Sequence, residues 1–342
     1  MDGPIDAALS GRTGLGDPTR PPARDPEEAE AAAGRVSADI ATATTLGPVH
    51  LTVADLDRSL AYYSEAVGLR VLSPVVVGAA GRRSAALGAG ERVLLVLAEN
   101  PGAPAPSASS TGLYHFALLL PERVDLARWL AHAVRLELPL VGASDHFVSE
   151  ALYLSDPDGH GIEIYWDRPR SLWEGQVSRM TTLPLDLANL LGELPEPAAA
   201  SFGGLPEGTL MGHVHLKVAE IAPTVAFYRE LLGFALMAAL GDSAAFLSAG
   251  GYHHHIGANT WESAGGSPPA PGTAALGHFT IVLPDAEEGD RLGERLGLVG
   301  IVPERRGDGL WLSDPSGNRM VLATAGQLLG PAGPEGDHLS SS

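Results

Sequence analysis

Two stretches of this chain are copies of one another. VHLTVADLDRSLAYYSEAVGLRV begins at Val49 and VHLKVAEIAPTVAFYRELLGFAL begins at Val214. Val53 matches Val218, Asp55 matches Glu220, Tyr63 matches Tyr228 and Gly68 matches Gly233, each pair offset by 165 residues. A repeat of this kind limits the fold more than any local propensity, because each copy is one supersecondary unit that buries its apolar face against another. Within each copy an alternating strand leads to an acidic helix start, and an amphipathic helix ends at glycine.

A second pair of matches completes the pattern. LYHFALLLP from Leu113 resembles LGHFTIVLP from Leu276, and LYLSDPDGHGIEI from Leu152 resembles LWLSDPSGNRMVL from Leu310. In both, Asp-Pro-x-Gly is a turn between two strands. The chain therefore holds four modules, over roughly 46–100, 112–168, 210–262 and 275–324, each a strand, a helix and three further strands. Modules 1 and 2 fill 45–180 and modules 3 and 4 fill 209–324. Residues 1–44 have little periodicity and read as a disordered arm, with EEAEAAAGR as a transient helix. Residues 181–208 read as a linker with one short helix near Leu187–Leu194, and 325–342 as a flexible tail.

Composition excludes several function classes. A net charge of -19 with no basic stripe argues against nucleic acid as a partner. With no cysteine, there is no disulfide, thiolate ligand or cysteine nucleophile, so a metal must be held by histidine and carboxylate. No apolar run is long enough to span a membrane, and the first residues lack a signal-peptide apolar region. The expectation is a cytoplasmic protein without membrane or nucleic-acid partners.

One spacing is specific. His146 is followed after five residues by Leu152 and Tyr153, then by Asp156-Pro157, Gly159 and Glu163. This resembles the ring-cleavage signature of extradiol dioxygenases. With the four modules, the chain over about 46–324 resembles the vicinal oxygen chelate superfamily of glyoxalases, bleomycin resistance proteins and extradiol dioxygenases, and most of all dioxygenases of the catechol 2,3-cleaving type. The implied fold is α+β, with four βαβββ modules paired into two cup-shaped mixed sheets with outer helices.

The resemblance also implies a metal site. In this superfamily a ligand opens a module's first strand, seven residues before the acid that starts the helix, and a carboxylate lies on the last strand of one module. His213 stands seven before Glu220, His278 seven before Asp285, and Pro48 seven before Asp55. His115 opens its strand as His278 does. Glu163 is the last-strand carboxylate of module 2, and the aligned position in module 4 is Val321. Only a pairing of modules 2 and 3 then completes a set, His115, His213 and Glu163, and modules 1 and 4 form a cup without metal. A competing set draws on His50 or His215, five before the helix acid and on the same strand face, such as His50–His115–Glu163.

Two imidazoles and a carboxylate suit Fe(II), and Mn(II) fits the same donors. The implied activity is meta cleavage of a catechol-like diol by O₂, the partners being a small aromatic diol and O₂, with assembly into a homo-oligomer allowed. In GGYHHHIGANTW (Gly250–Trp261), taken as the last strand of module 3, His254 is the implied acid–base group, with His253 and His255 as alternatives. Tyr153, ten residues before Glu163, and His146 are the implied substrate-side groups. Trp261, Ile256 and Phe147 are pocket walls or ordinary packing, and Trp129 is core. Rival readings are a glyoxalase-like isomerase or thiol transferase, and a non-catalytic binding protein.

Overall fold

The computed structural model describes residues 39–78, 81–195 and 202–328. Module 1 comprises β1 (Thr45–Val53), α1 (Leu56–Tyr62), β2 (Arg70–Val71), β3 (Val76–Val77), β4 (Arg83–Ala89) and β5 (Arg92–Glu99). Module 2 comprises β6 (Gly112–Leu120), α2 (Arg123–Arg135), β7 (Gly142–Asp145), β8 (Ser149–Ser155) and β9 (Gly161–Asp167). After β10 (Leu183–Pro184) and α3 (Leu187–Leu191), module 3 runs through β11 (Leu210–Lys217), α4 (Ile221–Val225), β12 (Ala235–Ala239), β13 (Ala244–Ser248) and β14 (Ile256–Asn259). Module 4 consists of β15 (Leu276–Leu283), α5 (Ala286–Leu298), β16 (Glu304–Arg306), β17 (Gly309–Ser313) and β18 (Arg319–Thr324), followed by α6 (Ala325–Leu328).

The strands form two mixed sheets. One has the order β16-β17-β18-β15-β1-β5-β4-β2, with β3 on β4, and the other β10-β7-β8-β9-β6-β11-β14-β13-β12. At the centre of each, two modules meet through their first strands, antiparallel: β1 with β15, and β6 with β11. Module 1 therefore shares a sheet with module 4, and module 2 with module 3. Modules 1 and 2, and modules 3 and 4, though neighbours in sequence, lie in different sheets.

Local chemistry explains the repeated helix. Asp55 caps α1 by accepting from the Arg58 amide at 3.0 Å, and Asp285 caps α5 by accepting from Glu288 at 2.9 Å. Both α1 and α4 widen into a π-turn, over Tyr63–Val67 and Ala226–Leu231. Gly68 ends the first in the left-handed region at φ 92°, a conformation that glycine adopts without steric cost.

Alternation separates the two faces of each central strand. On β6, Phe116, Leu118 and Leu120 enter the main core, as do Val214 and Leu216 on β11. This is the helix side, for the Phe116 ring lies 6.4 Å from that of Tyr63. Trp129 of α2 is fully buried there, as expected, its indole N–H donating to Val67 O at 3.1 Å. The opposite face carries His115, His213 and His215.

The segments outside the modules are more ordered than their composition suggests. Of the expected arm, residues 1–38 lie outside the described residues, but residues 39–44 are packed. The Ile40 amide donates to Gly233 O, and the Ala41 amide to Glu288 Oε1, both at 2.8 Å. Ile40 is only 2% exposed, so one apolar side chain and two paired amides fix the segment. The expected linker is also folded where described. β10 pairs with β7, and α3, capped by Asp186, is a turn shorter than anticipated. Of the expected tail, Ala325–Leu328 is helical and the rest lies outside the described residues. Among the described residues, no helix is long and apolar enough to cross a membrane.

Candidate metal centre

Three adjacent strands place three side chains at one point. Ala117 on β6 stands in register with Glu163 on β9 and with His213 on β11. His115, two residues before Ala117, shares its face. Ala117 is buried, and its methyl leaves the space over which the larger neighbours converge. A register shift between Met211 and His213 marks a bulge at Gly212, which re-aims His213. A Cβ at Gly212 would lie 1.7 Å from the Tyr165 hydroxyl, so only glycine admits this approach.

His115 Nε2 lies 2.9 Å from Glu163 Oε2, His213 Nε2 lies 3.1 Å from the same oxygen, and the two Nε2 atoms are 3.4 Å apart. The three residues are 6%, 2% and 2% exposed. Burial works against ionisation of Glu163, yet the adjacent His213 and His115 hold its carboxyl well below the usual range. Burial lowers the pKa of His213 against the pull of Glu163, which favours the neutral ring a metal requires.

The donors fit a divalent ion. An octahedral ion with bonds of about 2.1 Å sets neighbouring ligand atoms about 3.0 Å apart. The observed spacings match one triangular face of such an octahedron. The N₂O set leaves the opposite face for other ligands, as in non-haem Fe(II) sites.

The competing histidines fall elsewhere. His50 lies in the other sheet, in register with His278, the two rings stacked at 3.8 Å. Burial lowers its pKa to about 4, with a smaller opposing pull from Asp308. Val321 is buried there at the position Glu163 holds in the first cup. His215 is opposite His115 in register, but its buried Nε2 has no partner. Among the described residues, His115, Glu163 and His213 are the convergent metal-type group.

Tyr153 stands directly opposite Glu163 across β8 and β9. Its hydroxyl is 2.8 Å from His146 Nε2, and His146 Nδ1 is 2.8 Å from Thr181 O. A carbonyl only accepts, so His146 carries its proton on Nδ1 and accepts at Nε2 from Tyr153. Burial, then the nearby Glu163, raise the Tyr153 pKa well above the ordinary value, so the phenol stays protonated. Phe147 follows in the left-handed region at φ 71°, its amide held by Asp145 at 2.8 Å.

The histidine run is not a strand. β14 starts only at Ile256, and His253–His255 occupy the turn before it. Gly250 and Gly251, at φ 61° and 68°, reverse the chain there, so the three side chains do not alternate. All three are buried, and each does something different. His255 Nδ1 accepts from the Ala249 amide at 3.2 Å and braces the turn. The His254 ring lies 4.1 Å from that of His213. His253 sits behind it, Nδ1 to Nδ1 at 2.7 Å, with Nε2 2.8 Å from Asp167 Oδ1. Trp261 is half-exposed at the rim against Tyr114 and His215, whereas Ile256 is core.

The sequence reading missed Asp167, Tyr165 and Tyr252. Tyr165 and Tyr252 share a 2.7 Å hydroxyl contact, and Tyr252 donates to Asp167 Oδ2 at 2.8 Å. The signal was present, since residues 163, 165 and 167 share one face of a strand.

Comparison with known proteins identifies the family. A family model described as Glyoxalase/Bleomycin resistance protein/Dioxygenase superfamily matches residues 45–164 and 210–322. The chain is 42% identical over 282 residues to a protein named Catechol-2,3-dioxygenase from Bacillus subtilis (strain 168), covering 80% of this chain and 94% of that one. Among solved structures, a putative dioxygenase from Bacillus subtilis subsp. subtilis str. 168 superposes with a TM-score of 0.59 at 14% identity, over 84% of this chain and 86% of that one. Glyoxalase I from Zea mays gives a TM-score of 0.51 at 18% identity, over 84% of this chain and 94% of that one. These two likenesses concern the fold.

Proposed function

Since the chain belongs to the glyoxalase/bleomycin resistance protein/dioxygenase superfamily, we propose that it is an extradiol dioxygenase, cleaving a catechol-like aromatic diol with O₂ beside its hydroxyl-bearing carbons. The convergence of His115, His213 and Glu163 on one buried point carries this reading, and the relative named Catechol-2,3-dioxygenase supports it. Fe(II) held by these three residues would supply open positions for the diol and O₂ and a path for electrons between them.

The protein's own groups then have definite tasks. Two neutral imidazoles and one carboxylate leave a divalent site positive, which favours a deprotonated diol. His254, against the ring of His213, is the group placed to accept a diol proton; burial and then the adjacent His213 hold its pKa well below the ordinary imidazole value, so the ring is neutral before substrate arrives. Tyr153, held by His146, presents its hydroxyl oxygen to orient the substrate. The surrounding strands exclude water and so strengthen each polar contact. The product is a ring-opened acid aldehyde, with one atom of O₂ in the new carboxyl group and the other in the new aldehyde.

The test is anaerobic Fe(II) loading of the full chain, then addition of catechol and air. A yellow product with one O₂ consumed per diol is the expected result. One tightly bound metal with no O₂ uptake across a panel of diols overturns the reading and leaves a non-redox metalloenzyme of the same fold. Loading with Mn(II) in parallel identifies the working metal.

A further inference from the structure

Behind the triad a line of hydrogen bonds fixes where protons sit. Asp167 ends β9, four residues beyond Glu163. Its Oδ1 lies 2.8 Å from His253 Nε2, and a carboxylate only accepts, so His253 carries a proton on Nε2. In the neutral ring of His253, Nδ1 is then a lone pair. The 2.7 Å contact between His253 Nδ1 and His254 Nδ1 needs one proton, which must come from His254. The neutral His254 ring therefore holds its proton on Nδ1 and its lone pair on Nε2.

The far end of the line is equally determined. Tyr252 donates to Asp167 Oδ2 at 2.8 Å, so the 2.7 Å contact between Tyr165 and Tyr252 is a donation from Tyr165. Tyr165 and His253 are both fully buried, and Tyr165 rests on the ring of His213 at 5.0 Å. The line thus starts and ends against the same metal-type histidine.

We propose that Asp167 is a positioning residue that acts through His253 to hold His254 as the Nδ1–H tautomer, leaving Nε2 free to accept the substrate's proton. This rests on the reading of His254 as the proton acceptor. The logic is that of any histidine whose working nitrogen is set by the bond that the other nitrogen makes. Without Asp167, His253 can turn over or shift its proton, and His254 populates both tautomers.

The test reads tautomers directly. The full chain, labelled with ¹⁵N-histidine and loaded with diamagnetic Zn(II), gives long-range ¹H–¹⁵N patterns that distinguish Nδ1–H from Nε2–H rings, with His254→Gln to assign the signal. The expected result is an Nδ1–H pattern for His254, kept in Asp167→Asn, whose side-chain oxygen still accepts from His253, and mixed in Asp167→Ala. In turnover, Asp167→Ala should lower kcat at least about tenfold with little change in KM, and Asp167→Asn should retain most of it. An Nε2–H pattern for His254 in the unmodified protein overturns the proposal, with no need for Asp167→Ala to fold. A folded Asp167→Ala with an unchanged pattern overturns it as well. Failure of the dioxygenase reading looks different: an Nδ1–H His254 with no O₂ uptake removes the reaction and leaves the lock standing.

Discussion

The hydroxyl of Tyr63 donates to Oδ2 of the buried Asp156 at 2.9 Å, tying a helix of the sheet centred on β1 and β15 to the turn that feeds Glu163 into the other. The repeat supplies the counterpart: Tyr228 donates to Asp314 Oδ2 at 3.3 Å. Both ties join modules that are neighbours in sequence and belong to different sheets. The Asp-Pro-x-Gly turn thus serves as a socket as well as a reversal, with Asp156 Oδ1 also accepting from the Asp158 and His160 amides.

Tyr63→Phe should therefore cost about 1–2 kcal/mol, because Asp156 stays buried with one donor fewer. Tyr228→Phe should cost less, its bond being longer. Urea unfolding followed by circular dichroism measures both, and equal effects would count against the geometric argument.

Glu163→Ala should abolish binding of Fe(II), whereas His278→Ala should leave it nearly intact. His278 stacks on His50 in the sheet that has Val321 in place of a carboxylate. Metal analysis of the two purified variants decides the matter, and loss of iron in His278→Ala would mean that the wrong cup has been assigned.

Gly212→Ala should destabilise the chain by about 1–3 kcal/mol, the usual cost of overpacking, and lower metal occupancy with it. The new methyl would meet Tyr165 at its hydroxyl, 1.7 Å away, and at its ring, 2.7 Å away. Adding Tyr165→Phe removes only the nearer clash, so thermal unfolding of the double variant should show partial recovery.

Acid should loosen the N-terminal segment first. Burial raises the Glu288 pKa, but the Arg291 guanidinium and the Ala41 amide outweigh it and leave the carboxyl below its ordinary value. A depressed folded pKa means that the stabilisation is complete above the ordinary glutamate range and fades as pH falls through the folded value. Proteolysis near Ala41 should accelerate over that window, and Glu288→Gln should flatten the dependence while raising the rate at neutral pH.

Much of this molecule was legible in its sequence because the repeat samples the same physics four times. Strand, helix cap and Asp-Pro-x-Gly turn recur, and each recurrence sharpens the others. The pairing of modules 2 and 3 could be read from two residues unable to bind metal, Pro48 and Val321. The histidine run was misread as a strand because periodicity is uninformative in three identical residues, and the twin glycines that bend it act through positive φ. Asp167 was overlooked because its partners come from another module. The segment 39–44 was judged by composition, although two amides and one isoleucine hold it in place.

The exchange of partners between sheets has a consequence for synthesis. β11 begins at Leu210, well before module 4, so the sheet with the metal-type residues can close through β6 and β11 while the ribosome is still making module 4. β1 must wait: Val49 pairs with Phe279, about 230 residues later. Until then module 1 exposes one unpaired strand edge, a template for pairing with other chains. The sheet centred on β1 and β15 is thus the later of the two to be sealed, and crowding or slow translation across module 4 would expose the nascent chain to aggregation through β1.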